Sequence, residues 1–161
     1  MKMEEIERKF LVKNNDFEKE AIRFEYISQG FLSTDPERTV RIRIKNDKGI
    51  ITIKGASNKE GTTRFEWEKE ITVDEAKSLL ALCTKSIIEK TRYLIPAAQF
   101  IFEVDVFSGD NEGLIIAEIE LSDAHEAFPK PPWLGDEVTG QIKYYNSQLS
   151  KNPYNSWNHK L

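Results

Sequence analysis

The chain has a single cysteine, Cys83, in 161 residues. One thiol can form neither an internal disulfide nor a thiolate cage for zinc, which points to a reducing compartment. No apolar run approaches the roughly 18 to 20 residues of a membrane-spanning helix. Met1 leads straight into charged sequence, without the apolar core of a secretion signal. These absences predict a soluble, cytoplasmic protein. A basic excess is also missing: 23 lysines and arginines stand against 27 aspartates and glutamates, a net charge of −4. A nucleic-acid binder normally carries the opposite balance, so any anionic partner must be met by a local cluster of cations.

What the chain has in quantity is charge. Charged residues make up 31% and hydrophobic residues 39%, enough apolar material for one domain with a single core. Much of the charge sits at alternate positions, which in a strand share one face. Glu5, Glu7 and Lys9 do so in the first strand, residues 4 to 12. A second strand is read over 26 to 34. In 38 to 45, Arg41, Arg43 and Lys45 oppose Val40, Ile42 and Ile44, and the turn Asn46 to Gly49 leads into 50 to 55 with Thr52 and Lys54. The segment 63 to 71 sets Arg64, Glu66 and Glu68 against Phe65 and Trp67. Three more strands follow: 86 to 95 with Lys90 and Arg92, 100 to 107 with Glu103 and Asp105, and 113 to 121 with Glu118 and Glu120. The total is eight.

Helices are predicted at three places. Phe17, Ala21 and Phe24 suggest one from Asp16 to about Phe24. Thr72 and Glu75 form a capping box that opens a second, running to about Cys83. A third starts near Thr139 and carries Ile142, Tyr145 and Leu149. Residues 123 to 127 read as a single helical turn, and Pro129, Pro131 and Pro132 impose an extended connection. The reading is one domain over 1–151 with a fraying tail over 152–161, and neither His125 nor His159 has a place in the chemistry.

A sheet with one face in water explains any one of these strands. The set resists that explanation, because its charges are sorted by sign and like charges on neighbouring positions repel. Carboxylate pairs would be relieved by divalent cations, which take oxygen ligands. Arginine and lysine pairs would be relieved by phosphates. The economical solution is an α+β fold built on an eight-stranded antiparallel β-barrel with flanking helices, its charged faces turned into a lumen that holds a polyphosphate with Mg²⁺ or Mn²⁺.

The opening Glu5-x-Glu7-x-Lys9 resembles the signature of the CYTH family, the triphosphate tunnel metalloenzymes. Arg41-x-Arg43, Lys54, Arg64-x-Glu66-x-Glu68, Lys90-x-Arg92, Glu103-x-Asp105 and Glu118-x-Glu120 follow in the family's order. Glu137-Val138-Thr139, with Tyr145 and Leu149 beyond, resembles the tail of small bacterial members. The resemblance implies metal-dependent hydrolysis of inorganic triphosphate or another triphosphate. The alternatives it leaves are a class IV adenylate cyclase, a thiamine triphosphatase, or a non-catalytic module that binds polyphosphate or nucleotide. It assigns Lys9, Arg41, Arg43, Lys54, Arg64, Lys90 and Arg92 to the triphosphate, and Lys9, Glu5 and Glu7 to catalysis. The metal-ligand candidates are Glu5, Glu7, Glu66, Glu68, Glu103, Asp105, Glu118 and Glu120. The implied partner is a small-molecule triphosphate, with no nucleic acid and no membrane, and a homodimer is within the family's range. One position departs from the pattern: Phe31 stands where several relatives carry a tyrosine proposed to help activate water, and phenylalanine transfers no proton.

Overall fold

The computed structural model describes residues 3–157, without the side chains of 84–86. Eight strands close an antiparallel barrel. They are β1 (Glu4–Val12), β2 (Arg23–Ser33), β3 (Arg38–Lys45), β4 (Lys48–Ser57), β5 (Thr63–Ile71), β6 (Thr84–Ala97), β7 (Phe100–Phe107) and β8 (Ile115–Glu120). Around the barrel they run β1-β5-β4-β3-β2-β6-β7-β8 and return to β1. Closure rests on β1, whose first residues pair with β5 (Glu5 opposite Arg64) and whose middle pairs with β8 (Glu7 opposite Glu120, Lys9 opposite Glu118). A ninth strand, β9 (Leu134–Glu137), takes over from β5 along the far end of β1, with Phe10 opposite Glu137.

Register then puts the charged positions on one side of the wall. Gln29 lies opposite Arg43, Arg41 opposite Thr52, Lys54 opposite Glu66, Arg92 opposite Asp105 and Glu103 opposite Glu118. Directly opposite residues share a face, and that face is the inner one. The outer faces of β1, β6, β7 and β8 bury Phe10, Phe102, Val104, Ala117 and Ile119 beneath Phe17, Phe128 and Trp133. Trp133, 1% exposed, meets Phe102 and Phe17 edge to face, at centroid distances of 5.4 and 6.0 Å, and is a packing residue. A second apolar cluster, including Phe31, Ile88, Phe107, Ile116, Tyr144 and Leu149, plugs the barrel next to the charged stretch.

Outside the barrel, α1 (Val73–Leu80) opens on the expected capping box, with Thr72 Oγ1 accepting from the Glu75 amide and the Glu75 carboxylate accepting from the Thr72 amide. It ends at Leu80, short of Cys83, and Leu82 is left exposed. The helix expected over 16 to 24 is only a 3-10 turn at Asp16–Glu20 that buries Phe17. Phe24 belongs to β2 and faces outward, since the alternation that buries Glu25 and Ile27 governs there. The long terminal helix is likewise replaced by short pieces, a 3-10 turn at Ile142–Tyr144 and α2 (Asn146–Leu149). Beyond them the ring of Trp157 packs against Tyr144 and Tyr154. The part of the predicted tail over 158–161, with His159, lies outside the described residues. Among the described residues no helix is long and apolar enough to cross a membrane.

Candidate active site

The inner faces enclose a cavity of about 220 Å³. Seven carboxylates and eight cations line it: Glu5, Glu7, Glu66, Glu68, Glu103, Glu118 and Glu120 with Lys9, Arg41, Arg43, Lys45, Lys54, Arg64, Lys90 and Arg92. All the predicted site residues but one converge there. The exception, Asp105, lies deeper in the wall and is 1% exposed. It forms an ion pair with Lys90 Nζ at 2.7 Å, and its oxygens accept from Arg92 Nε and an Arg92 terminal nitrogen at 2.8 and 2.9 Å. Both carboxylate oxygens are therefore taken by cations, and Asp105 positions Lys90 and Arg92 instead of offering itself to a metal.

The remaining charges fall into compensated and uncompensated groups. Lys54 bridges Glu5 at 3.0 Å and Glu66 at 3.4 Å. Glu118 meets Lys9 and Arg92, each at 3.4 Å. Burial opposes ionisation of Glu118, but Lys9 and then Arg92 outweigh it and hold this carboxyl well below the usual range. Burial also disfavours charge on Lys9, yet Glu118 and Glu7 raise its pKa on balance. Lys9 is thus an ammonium at neutral pH, a donor rather than a base. The ring of Tyr145 lies 5.3 Å from its Nζ.

Arg43 makes no ion pair among the described residues; its Nε donates to Gln29 Oε1 at 2.8 Å. Burial, then the neighbouring Arg41 and Arg92, depress its pKa well below the ordinary arginine value. Arg41 donates one terminal nitrogen to Thr52 Oγ1 at 3.0 Å and approaches Glu68 at 3.7 Å, while its buried Nε has no acceptor. Buried cations with little or no counter-charge are costly, and Arg43, unpaired, beside Arg41, held only by Glu68 at 3.7 Å, marks a place for an anion.

The opposite need appears on β1, β5 and β8. Burial, then Glu118 and Glu5, push Glu7 well above the usual carboxylate range. Glu66 is pushed up to about 7 by burial and then by Glu5, and burial followed by Glu5 and Glu103 raises Glu120. An all-carboxylate donor set with surplus negative charge suits a hard divalent cation, so the residues fit one in kind. Among the described residues no three of them are drawn together as a formed metal site.

Three lumen residues escaped the sequence reading. Thr39 lines the cavity from β3, and Asn146 and Ser147 reach it from α2; none of them carries a charge that would have marked it. Lys45, in the same alternation as Arg41 and Arg43 but outside the triphosphate assignment, also lines the cavity, and Phe31 faces it with no hydroxyl.

A closed eight-stranded barrel with this lumen is a specific arrangement, and the CYTH domain model matches residues 3–152. The chain belongs to the CYTH family. It is 48% identical over 154 residues to the inorganic triphosphatase of Acetivibrio thermocellus, spanning 95% of this chain and 97% of that protein. It is 37% identical to the inorganic triphosphatase of Nitrosomonas europaea, spanning 92% and 97%. The crystal structure of an inorganic triphosphatase superposes with a TM-score of 0.65 at 33% identity, covering 91% of this chain and 93% of the other.

Proposed function

We propose that this CYTH chain hydrolyses inorganic triphosphate to orthophosphate and pyrophosphate in the barrel lumen, with a divalent cation, Mg²⁺ or Mn²⁺, as cofactor. The observation that carries the proposal is the split of charge inside one closed cavity. Arg43 has no ion pair among the described residues and Arg41 has only Glu68 at 3.7 Å, while Glu7 and Glu120 have no cation paired to them among the described residues, and a metal-bound polyphosphate satisfies both. The relatives named as inorganic triphosphatases over almost the whole chain support the same reading.

In this reading Lys9, Arg41, Arg43, Lys54, Arg64, Lys90 and Arg92 hold the phosphate chain. Arg41 and Arg43 offer guanidinium forks suited to paired phosphate oxygens. Glu5, Glu7 and Glu120 would hold the cation, with Glu118, Glu66, Glu68 and Glu103 beside them, and the cation would supply positive charge to phosphate oxygens and acidify a water. Lys9, kept charged by Glu118 and Glu7, donates to the transferring phosphoryl group as charge spreads over its oxygens. Water attacks the terminal phosphorus in line, the bridging bond breaks, and pyrophosphate leaves, with no covalent enzyme intermediate. Glu66, with a pKa of about 7, is matched to accept the water's proton near neutral pH. Phe31 supplies no proton path.

The test is phosphate release from tripolyphosphate, ATP and thiamine triphosphate, each with Mg²⁺, Mn²⁺ or chelator, with Glu5→Gln as control. Metal-dependent release from tripolyphosphate, lost in the control, is expected. Release from none of the three substrates, or formation of cyclic AMP from ATP, overturns the reading.

A further inference from the structure

Asn146, the first residue of α2, is set in the lumen by two residues of the barrel. Its Oδ1 accepts from Gln29 Nε2 at 2.8 Å and from Lys90 Nζ at 2.9 Å. The ammonium form of lysine has no acceptor, so the atom that the charged Lys90 donates to is the amide oxygen. The second bond leads to the same orientation independently. Arg43, also a donor only, occupies Gln29 Oε1 at 2.8 Å, which leaves Gln29 its nitrogen to donate to Asn146. The hydrogen bonds of two cations therefore fix which way the Asn146 amide points. Its Nδ2 group is left with two N–H donors and no protein acceptor among the described residues, in a side chain that lines the cavity.

An amide held by Lys90 and linked through Gln29 to Arg43, with its oxygen tied back to the wall, offers its nitrogen as a neutral donor to an anion. We infer that Asn146 Nδ2 donates to a phosphate oxygen of the bound triphosphate, an assignment that rests on the proposed function and makes the C-terminal segment part of the binding site. A residue outside the barrel strands thus supplies a direct contact to substrate. By holding Lys90 and Gln29 it also registers the adjoining phosphate-binding cations against that contact.

Asn146→Asp separates the two roles. The aspartate keeps an oxygen to accept from Gln29 and Lys90, so a role confined to orienting them survives, while the donor becomes an oxygen that repels phosphate. Ser147→Asp, which adds the same charge at the next residue lining the cavity and leaves the Asn146 amide in place, controls for charge alone. Calorimetric affinity for tripolyphosphate in chelator is measured for the three proteins, together with thermal melting and metal-dependent phosphate release. Loss of a hydrogen bond to a charged group predicts a Kd raised at least about tenfold in N146D, a smaller change in S147D, and an unchanged melting temperature in N146D. If N146D does not fold, Asn146→Ser takes its place, with the same loss expected. N146D binding as tightly as wild type, or S147D losing as much as N146D, overturns the inference. Wild type that binds tripolyphosphate but releases no phosphate from it overturns the proposed function and leaves the Asn146 contact standing.

Discussion

Asp105→Asn is the perturbation with the clearest consequence. The carboxylate is 1% exposed and holds Lys90 at 2.7 Å and both faces of the Arg92 fork at 2.8 and 2.9 Å. Asparagine keeps the shape and one acceptor oxygen, removes the charge and turns an NH₂ group toward the cations. Breaking a buried pair by removing one partner costs about 3–5 kcal/mol, because the other charge is left uncompensated. Arg92 retains Glu103 at 3.3 Å and Glu118 at 3.4 Å, so the loss falls mainly on Lys90, and the lower end, about 3 kcal/mol, is expected at acidic pH, well below the Lys90 pKa of about 7, where that side chain must keep its charge. For a domain of this size that lowers the melting temperature by about 6 to 12 °C. Urea unfolding followed by tryptophan fluorescence gives the free energy directly, with the slope in denaturant expected to stay constant. Saturating tripolyphosphate supplies replacement negative charge and should restore about 2.7 kcal/mol at a hundredfold excess over its Kd. A loss below about 1 kcal/mol would refute the positioning role. So would weakened metal affinity at unchanged stability, the signature of a metal ligand.

Three further outcomes follow from the same structure. Arg43→Met removes a buried guanidinium that has no carboxylate partner, so melting should show stability unchanged or raised by about 1 kcal/mol, while calorimetry shows tripolyphosphate affinity reduced at least about tenfold. Without metal, the folded state keeps a proton on Glu66 up to about pH 7 that the unfolded chain gives up near 4.5. The folded state then binds more protons within that window, so this group makes metal-free stability fall as pH rises from 4.5 to about 7; melting scans in chelator should show the fall, and added Mg²⁺ should flatten it. Above that window Lys90, lowered to about 7 chiefly by burial, acts with the opposite sign. Gly61→Ala places a side chain at φ +80°, with its Cβ 2.3 Å from the Gly140 Cα. It should destabilise by more than about 1 kcal/mol in urea unfolding, since a left-handed backbone and a backbone clash act together.

How much of this could be read from sequence depended on how far the local pattern agreed with the burial. β3, β5 and β7 run over the residues predicted because charge and apolar side chains alternate there without interruption. β2 is the counter-example. Phe17, Ala21 and Phe24 match a helical spacing, yet Phe24 and Tyr26 are exposed on the barrel's outside and the strand's buried side is marked by Glu25, Ile27 and Gln29, of which only Ile27 is apolar. β9 was invisible because Leu134–Glu137 has no alternation and is recruited by the free edge of β1 beyond β5, a long-range event. In the site, charge sorting found every lumen carboxylate and all but one of the cations. It could not distinguish a carboxylate with spare oxygens from Asp105, whose oxygens are both spent on cations, because that depends on depth in the wall. Asn146 needed the geometry, since its contribution lies in which of its two polar atoms remains free.

The central claim, that triphosphate and its divalent cation occupy the barrel lumen, is tested most directly by a crystal structure with tripolyphosphate and Mn²⁺, located by anomalous scattering. The predicted result is phosphate density against Arg41, Arg43 and Lys90, with the manganese peak beside Glu7 and Glu120. Density at the outer surface of the barrel, with the lumen holding only water and its own ion pairs, would contradict it.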